Sequence, residues 1–186
     1  MRVISGTARR LRLVTPEGDE TRPTQDRIKE TLFNMIQNEV SGAVFVDICA
    51  GSGGIGIEAL SRGAVRAYFI ENSIRPYKCL VENLHTTRLE DRATVLRSDV
   101  LVALRSIRES AVDLIYFDPP YASGLYEPVL ALLSALPYVT METMLIVESE
   151  DDMDFSFAED LGFEILREKS YKHNKHIFLH KRGASA

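Results

Sequence analysis

From residue 43 onward, short runs of β-branched and aromatic residues alternate with longer segments in which apolar residues recur every three or four positions. Continuous apolar runs are typical of strands buried on both faces, whereas the wider spacing is typical of amphipathic helices. This alternation predicts βαβ units, and therefore a parallel sheet covered by helices on both sides. The strand-like runs are AVFVDIC, RAYFIE, ATVLRSD, VDLIYFD and ETMLIVESE.

The pattern changes after Glu150. A short helix is expected near residues 154–160, and the segments GFEILREKSY and KHIFLHKR have the composition of two strands joined by only a few residues. Strands that are so close in sequence pair antiparallel. The C-terminal segment is therefore expected to close the sheet with an antiparallel pair.

The first 40 residues have a different character. The segment RVISGTARRLRLVTP predicts a short basic strand pair with a turn near Gly6, and TRPTQDRIKETLFNMIQNEV predicts a helix. Thr24 is the expected N-cap of this helix. No linker or repeat separates the segment from the rest, so we expect one structural unit with an extension over residues 1–40 and the main domain over 41–186. The residues expected on the buried face of the helix are Ile28, Leu32, Met35 and Ile36.

Composition excludes several classes of protein. Two cysteines, Cys49 and Cys79, form no disulfide framework, and the C-terminal histidines lack the spacing of a zinc site, so no metal is expected. No run of about 18 apolar residues is present, and arginines occupy the place of a signal peptide's apolar stretch. The sequence therefore predicts a cytoplasmic protein without a membrane association.

Charge is distributed unevenly along the chain. The formal net charge is -5, but residues 1–14 carry +4 and residues 165–186 carry +5, which leaves -14 for the middle. Such segregation favours a polyanionic partner that the two ends contact. Basic ends also occur as solvated tails, so charge alone leaves both interpretations open.

A glycine-rich segment follows the first strand-like run. In DICAGSGGIG, Gly51, Gly53 and Gly56 match the spacing G-x-G-x-x-G, and Glu71 comes at the end of the next run. Glycines let the backbone turn sharply and approach a ligand closely, and the acid can accept hydrogen bonds from ribose hydroxyls. Both features suit any adenosine-containing cofactor, so NAD and S-adenosylmethionine both stay open.

Three further acids distinguish these cofactors better. Asp47 precedes the glycines, where it would repel a dinucleotide's pyrophosphate but attract the cationic amino group of methionine. Asp99 ends the third run and Asp118 the fourth. Ligands of open α/β sheets bind outside the carboxyl ends of the strands, so we expect these acids and Glu71 to line one crevice. Taken singly, Asp99 is better explained as a helix cap or a solvated strand end.

The fourth run ends in Asp118-Pro119-Pro120-Tyr121, hereafter the DPPY segment. Two prolines can simply terminate a strand. The segment also suits the amino group of a planar substrate: Asp118 and the Pro119 carbonyl can accept its hydrogens, and Tyr121 can stack on the ring. Local sequence alone leaves these two interpretations open.

The combination of DICAGSGGIG, Glu71, Asp99, DPPY, RPTQDRIKETLFN and GIEALSRGA resembles the RsmD family, whose members methylate the N2 amine of one guanine in small-subunit ribosomal RNA. The resemblance covers almost the whole chain. It implies an α/β fold of the class I S-adenosylmethionine-dependent methyltransferases, Rossmann-like, with a seven-stranded, mostly parallel sheet, its last strand antiparallel, and a small N-terminal hairpin-plus-helix attachment.

The resemblance also implies the roles of individual residues and the partners. The glycine loop and Glu71 hold the methionine and ribose parts of S-adenosylmethionine, Asp99 and Val100 flank its adenine, and the DPPY segment receives the base. A monomer that acts on 16S rRNA within an assembled or assembling small subunit is expected. The implied cofactor-binding residues are Asp47, Ala50, Gly51, Ser52, Gly53, Gly56, Glu71, Asn72, Asp99 and Val100.

Residues that contact the RNA backbone are expected in the basic N-terminal segment. Arg22-Pro23-Thr24 can equally form the entrance of a helix, and both interpretations stay open. The expected RNA-contacting residues are Arg9, Arg10, Arg22, Thr24 and Arg27.

Three rival functions stay open, and one is a non-catalytic RNA-binding module, which would not require a crevice lined by acids. A DNA adenine-N6 methyltransferase would also use a DPPY segment, although such enzymes usually need a separate recognition domain. An NAD-dependent oxidoreductase is compatible with the glycines, but it leaves Asp47 and the DPPY segment unexplained.

Overall fold

A computed structural model describes residues 1–16 and 23–183 of the chain. Seven strands form one sheet in the order β3-β2-β1-β4-β5-β7-β6. All neighbouring strands from β3 to β5 pair parallel, whereas β7 pairs antiparallel with both β5 and β6. The predicted α/β architecture and its antiparallel last strand are thus confirmed. The strands are β1 (Val44–Ile48), β2 (Arg66–Ile70), β3 (Ala93–Leu96), β4 (Leu114–Phe117), β5 (Met144–Glu150), β6 (Phe163–Ser170) and β7 (Asn174–Lys181).

Helices cover both faces of the sheet. Side chains on successive strand residues point to opposite faces, so each central strand contributes to two cores. The helices are α1 (Pro23–Met35), α2 (Gln37–Val40), α3 (Gly54–Ser61), α4 (Ile74–Thr87), α5 (Val100–Ser106), α6 (Tyr126–Ala135) and α7 (Phe157–Asp160). One core contains side chains of α5, α6 and α7; the other contains side chains of α1, α3, α4 and the N-terminal segment. Among the described residues, no helix is long and apolar enough to cross a membrane.

The first helix differs from its prediction at one end. It begins at Pro23, so Thr24 is its second residue and not the expected N-cap. Proline suits the first helical position because its missing N–H would have no helical partner there. Leu32 and Ile36 are fully buried as predicted, and Ile36 lies just beyond the end of α1.

Residues 1–16 form a hairpin beside α3, although Arg2 and Arg12 make its only described strand bridge. The hairpin starts where Met1 contacts Gly54, and the Thr7 N–H donates to the Ser61 carbonyl (2.8 Å) at the far end of α3. The chain then returns, and the Leu13 N–H donates to the Met1 carbonyl (3.0 Å). Its tip therefore lies roughly 12 Å from the start of α3, the length of an eight-residue helix.

A buried glutamate attaches this hairpin to the sheet domain. Glu58 on α3 is fully buried and accepts hydrogen bonds from the N–H groups of Ile4 (2.8 Å) and Ser5 (2.9 Å). The buried ammonium group of Lys29 lies 3.3 Å from the same carboxylate, and the guanidinium group of Arg62 lies 2.8 Å from it. Glu58 thus connects the hairpin, α1 and α3.

Candidate functional site at the carboxyl ends of the strands

The register of the sheet brings polar side chains to one face at its carboxyl edge. Asp47 on β1 pairs with Tyr116 on β4, and Asp118 follows two residues later on the same face. Ile146 on β5 also pairs with Tyr116, so Glu148 lies on that face, opposite His176 of β7. This is the face covered by α1, α3 and the N-terminal hairpin.

Two clefts open at this edge. The first cleft, about 870 Å³, lies between the sheet, the N-terminal segment and the β6–β7 turn. The second cleft, about 650 Å³, lies over the ends of β2 and β3 and includes Glu71, Asn72, Asp99 and Val100. The expectation of a single crevice is therefore refined: Asp47 lines the first cleft, Glu71 and Asp99 line the second, and Asp118 lines both. The residues shared by the two clefts are Cys49, Pro76, Asp118 and Tyr121.

The glycine loop is held in place by Glu71. One carboxylate oxygen accepts the Gly51 N–H (2.9 Å) and the other accepts the Ser73 N–H (2.7 Å). A carboxylate offers about four acceptor positions, so each oxygen retains capacity for a ribose hydroxyl. Gly53 precedes α3 at φ +83°, where a side chain would be strained, and a Cβ on Gly56 would lie 2.3 Å from the Phe69 ring.

The members of this loop have different surroundings. Ala50, Gly51 and Ser52 line the first cleft. Gly53 and Gly56 line neither cleft and shape the loop from behind. The glycine motif thus contains two kinds of residue. Some line the first cleft, and others only allow the backbone to adopt the shape of the loop.

Asp47 is almost completely buried, and its carboxylate accepts the Gly56 N–H (2.8 Å). Burial raises the pKa of Asp47 to about 7; the Gly56 N–H opposes the rise and the negative charge of Glu71 adds to it. A cationic group in the first cleft would favour the ionised form of this acid. Its role toward an ammonium group stays a prediction, whereas the hydrogen bond from Gly56 shows that Asp47 fixes the start of α3.

Asp99 serves as the N-cap of α5. Its carboxylate accepts the N–H groups of Leu101 (2.9 Å) and Val102 (3.3 Å) through one oxygen. The side chain is exposed in the second cleft, and its other oxygen receives no described hydrogen bond. Capping and ligand binding are thus compatible, because they use different oxygens.

The DPPY segment follows β4 where the two clefts meet. The Asp118 N–H donates to the Ile48 carbonyl (3.3 Å), Pro119 is buried, and Pro120 leads into a 3-10 turn over Tyr121–Ser123. Within the described chain, no donor reaches the Asp118 carboxylate or the Pro119 carbonyl. Tyr121 is 44% exposed, so its ring is available for stacking.

The charge state of Asp118 is affected by its neighbours. Its carboxylate is accessible, yet the protein atoms around it reduce its hydration and raise its pKa well above the usual range. The negative charges of Glu148 and Asp47 raise it further. Burial likewise raises the pKa of the Cys49 thiol to about 12, which keeps it protonated and agrees with a packing role.

The first cleft also contains a polar cluster that the sequence analysis missed. Glu148 accepts hydrogen bonds from the Tyr116 hydroxyl (2.5 Å), from His176 Nε2 (3.1 Å) and from the Asn174 amide. The other ring nitrogen of His176 lies 3.1 Å from the Tyr171 hydroxyl. The sequence does contain one signal for this cluster. Glu148, the first acid of VESE in the fifth strand-like run, continues the series of acids near strand ends.

The predicted RNA-contacting residues lie in different places. Arg9 and Arg10 are exposed at the tip of the N-terminal hairpin, one helix length from the clefts, and Arg27 is exposed on α1. Arg22 lies outside the described residues, and only the backbone position of Thr24 is described. Met1 of the N-terminal segment and His173 of the C-terminal segment line the first cleft, so both ends of the chain border it, although none of their described Lys or Arg side chains lines it. No cluster of metal-ligating side chains occurs within residues 1–16 and 23–183.

Comparison with known proteins agrees with this architecture. A family model described as "Conserved hypothetical protein 95" matches residues 1–180. The "Putative rRNA methyltransferase YlbH" of Bacillus subtilis is 35% identical over 98% of this chain and 100% of its own length. The "Ribosomal RNA small subunit methyltransferase D" of Escherichia coli is 35% identical over 81% of this chain and 75% of its own. The solved structure "Putative methyltransferase yhhF from Escherichia coli" superimposes with a TM-score of 0.83, at 29% identity, over 99% of both chains.

The sheet order, the glycine loop and the acids at the strand ends define the class I S-adenosylmethionine-dependent methyltransferase fold. The family model matches nearly the whole chain, residues 1–180, and so distinguishes one family within this class. The chain belongs to the family of that model, the RsmD family, as its motifs indicated.

Proposed function

We propose that this protein transfers a methyl group from S-adenosylmethionine to the N2 amine of one guanine in 16S rRNA, within an assembled or assembling small subunit. The observation that carries the proposal is the position of the DPPY segment, where a cleft with adenosine-binding features adjoins a cleft bordered by both basic ends of the chain. The relatives named as ribosomal RNA methyltransferases support the choice of substrate.

The second cleft and the glycine loop fit the cofactor. Glu71 has free acceptor capacity for ribose hydroxyls, Asp99 has a free oxygen near the adenine position, and Val100 offers an apolar contact. A bound methionine ammonium group would favour the ionised form of Asp47 despite its raised pKa, and the two charges would then pair. Bound S-adenosylmethionine would supply an activated methyl group on a cationic sulfur.

The DPPY segment would orient the acceptor amine. The lone pair of an exocyclic guanine amine is delocalised into the ring, which makes the amine a poor nucleophile. Acceptance of its two hydrogens by Asp118 and the Pro119 carbonyl would direct the lone pair toward the methyl group and stabilise the positive charge that develops on nitrogen. Tyr121 would stack on the base, which must leave its own stack to enter the cleft.

The direct test is transfer of labelled methyl to small subunits, naked ribosomal RNA and duplex DNA, followed by identification of the modified nucleoside. The proposal expects N2-methylguanosine in ribosomal RNA. Methyladenine in DNA would replace it with the adenine-N6 alternative. Stabilisation by NAD but not by S-adenosylmethionine in a melting experiment would favour the oxidoreductase.

Cofactor affinity should depend on Glu71. Replacement Glu71→Gln removes the charge that holds Gly51 and Ser73 and leaves a weaker acceptor for the ribose. Hydrogen bonds to charged groups contribute about 1.5–3 kcal/mol, so the Kd for S-adenosylmethionine should rise about 10- to 100-fold. Isothermal titration calorimetry measures the change, with Glu82→Gln on the exposed surface of α4 as the matched control. An unchanged Kd for Glu71→Gln would remove this residue from the cofactor site.

RNA binding should depend on the exposed arginines of the N-terminal extension. Each phosphate contact in a single strand contributes about 0.7 to the slope of log K against log salt, so the triple variant Arg9→Ala/Arg10→Ala/Arg27→Ala should lower the slope by about 2. The control is Arg105→Ala/Arg108→Ala, because α5 packs on the opposite face of the sheet from α1, α3 and the N-terminal hairpin. Equal slopes for both variants, measured by filter binding across a salt series, would contradict these contacts.

A further inference from the structure

Besides Asp47 and Asp118, the first cleft contains a third carboxylate, Glu148, to which the mechanism above gives no role. It lies on the same face as Asp118, and its side chain is 14% exposed. It belongs to neither the glycine loop nor the DPPY segment. A base bound in the first cleft would therefore present one of its groups to Glu148.

The hydrogen bonds of Glu148 leave part of its acceptor capacity free. A carboxylate has about four acceptor positions, and Tyr116, His176 and Asn174 occupy three of them. Asn174 approaches the oxygen that neither Tyr116 nor His176 contacts, so that oxygen keeps one free lone pair. A group in the cleft that meets Glu148 must therefore be a hydrogen-bond donor.

The cluster also keeps Glu148 ionised and rigid. Burial by itself raises the pKa of Glu148, but the hydrogen bond and positive charge of His176, together with the hydrogen bonds from Tyr116 and Asn174, outweigh it, and the pKa lies below the usual value. His176 is fully buried, with Nε2 3.1 Å from Glu148 and Nδ1 3.1 Å from the Tyr171 hydroxyl. An ionised carboxylate only accepts hydrogen bonds, so Glu148 cannot adapt to a base that presents an acceptor.

Guanine and adenine differ at the position next to the reactive amine. In guanine the N2 amine adjoins N1–H, so two donors lie side by side. In adenine the N6 amine adjoins N1, which carries a lone pair. The Asp118 carboxyl group can accept a hydrogen bond whether or not it is protonated, and Glu148 is ionised, so this pair on one face of the cleft matches the guanine edge. The adenine edge would place a lone pair against the negative charge of Glu148.

We propose that Glu148 accepts the N1–H of the target guanine while Asp118 accepts the N2 amine, and that Glu148 thereby selects guanine; this inference rests on the proposed function. Tyr116, His176 and Asn174 are positioning residues for Glu148. The proximity of the two carboxylates is consistent with the contribution of Glu148 to the raised pKa of Asp118.

The test compares guanosine with 2-aminopurine riboside at the methylated position of the RNA, once that position has been mapped. 2-Aminopurine keeps the exocyclic amine at C2 but presents a lone pair at N1. A site built to accept a donor discriminates strongly against an analogue that lacks it, so the wild-type protein should prefer guanosine in kcat/KM by at least about 100-fold. Glu148→Gln offers an amide that can donate to N1, and the preference should fall below about tenfold.

The matched control is Glu164→Gln, the same replacement at an exposed glutamate of β6 that lines neither cleft. It should retain the wild-type preference, and an equal loss of preference in both variants would overturn the inference. A wild-type preference below about tenfold would overturn the inference even if Glu148→Gln failed to fold. An unchanged preference in folded Glu148→Gln would overturn it as well. Absence of any methyl transfer to guanosine by the wild-type protein would instead overturn the proposed function.

Discussion

Replacement of Asp118 by alanine is expected to lower methyl transfer by roughly 100- to 1,000-fold, the usual effect of removing one group that stabilises transition-state charge. Asp118 is the acidic side chain of the DPPY segment, and it lies where the two clefts meet. The Kd for S-adenosylmethionine should remain within about threefold, because the glycine loop is held by Glu71 and Asp47. Single-turnover transfer of labelled methyl and calorimetric titration measure the two effects separately.

The control for this experiment is Asp91→Ala, an exposed aspartate just before β3 at the opposite edge of the sheet. It should transfer methyl at the wild-type rate. Full activity of Asp118→Ala would contradict the proposed mechanism. An equal loss of cofactor affinity and of transfer would assign Asp118 to the cofactor site instead.

The second large effect is expected on stability, at Glu58. Alanine at this position leaves the buried ammonium group of Lys29 without its anionic partner and removes the acceptor of two backbone N–H groups. Loss of one member of a buried ion pair typically costs about 3–5 kcal/mol. For a chain of this size the melting temperature should fall by roughly 10 °C. Differential scanning calorimetry measures the change.

The same replacement should release the N-terminal hairpin. Because Glu58 binds Ile4 and Ser5, limited proteolysis should cut within residues 1–16 faster than in the wild-type protein. The matched control is Glu159→Gln, which breaks the exposed pair with Arg182 and should cost at most about 1 kcal/mol. A melting temperature equal to that of the control would show that Glu58 does not anchor the hairpin.

Patterns along the chain were sufficient for the sheet because both of its signals are local. Apolar runs such as VDLIYFD follow from burial on two faces, and the alternation with helices enforces parallel crossovers. Asp118 and Glu71 were accessible to the same reasoning, because the carboxyl ends of parallel strands lie at one edge. The predicted start of α1 was wrong by two residues, since the helix begins at Pro23 and not after a cap at Thr24.

The polar cluster around Glu148 was not predictable from local pattern. Its members come from β4, β5 and β7, and they meet because β7 inserts antiparallel beside β5 with His176 opposite Glu148. The strand register decides which side chains face each other, and a shift of one residue would turn each to the other face. His176, whose spacing in the sequence only argues against a metal site, thus has a structural partner in Glu148.

The fold class, the glycine loop, the acids at four strand ends and the family follow from the amino-acid sequence, because each depends on residues that are close in the chain or that occur in a specific combination. Three features required the folded chain: these acids line two adjoining clefts, Glu58 anchors the hairpin, and Arg9 and Arg10 lie a helix length from the clefts. The physical reason is that contacts across the sheet depend on strand order and register, which packing of the whole chain selects.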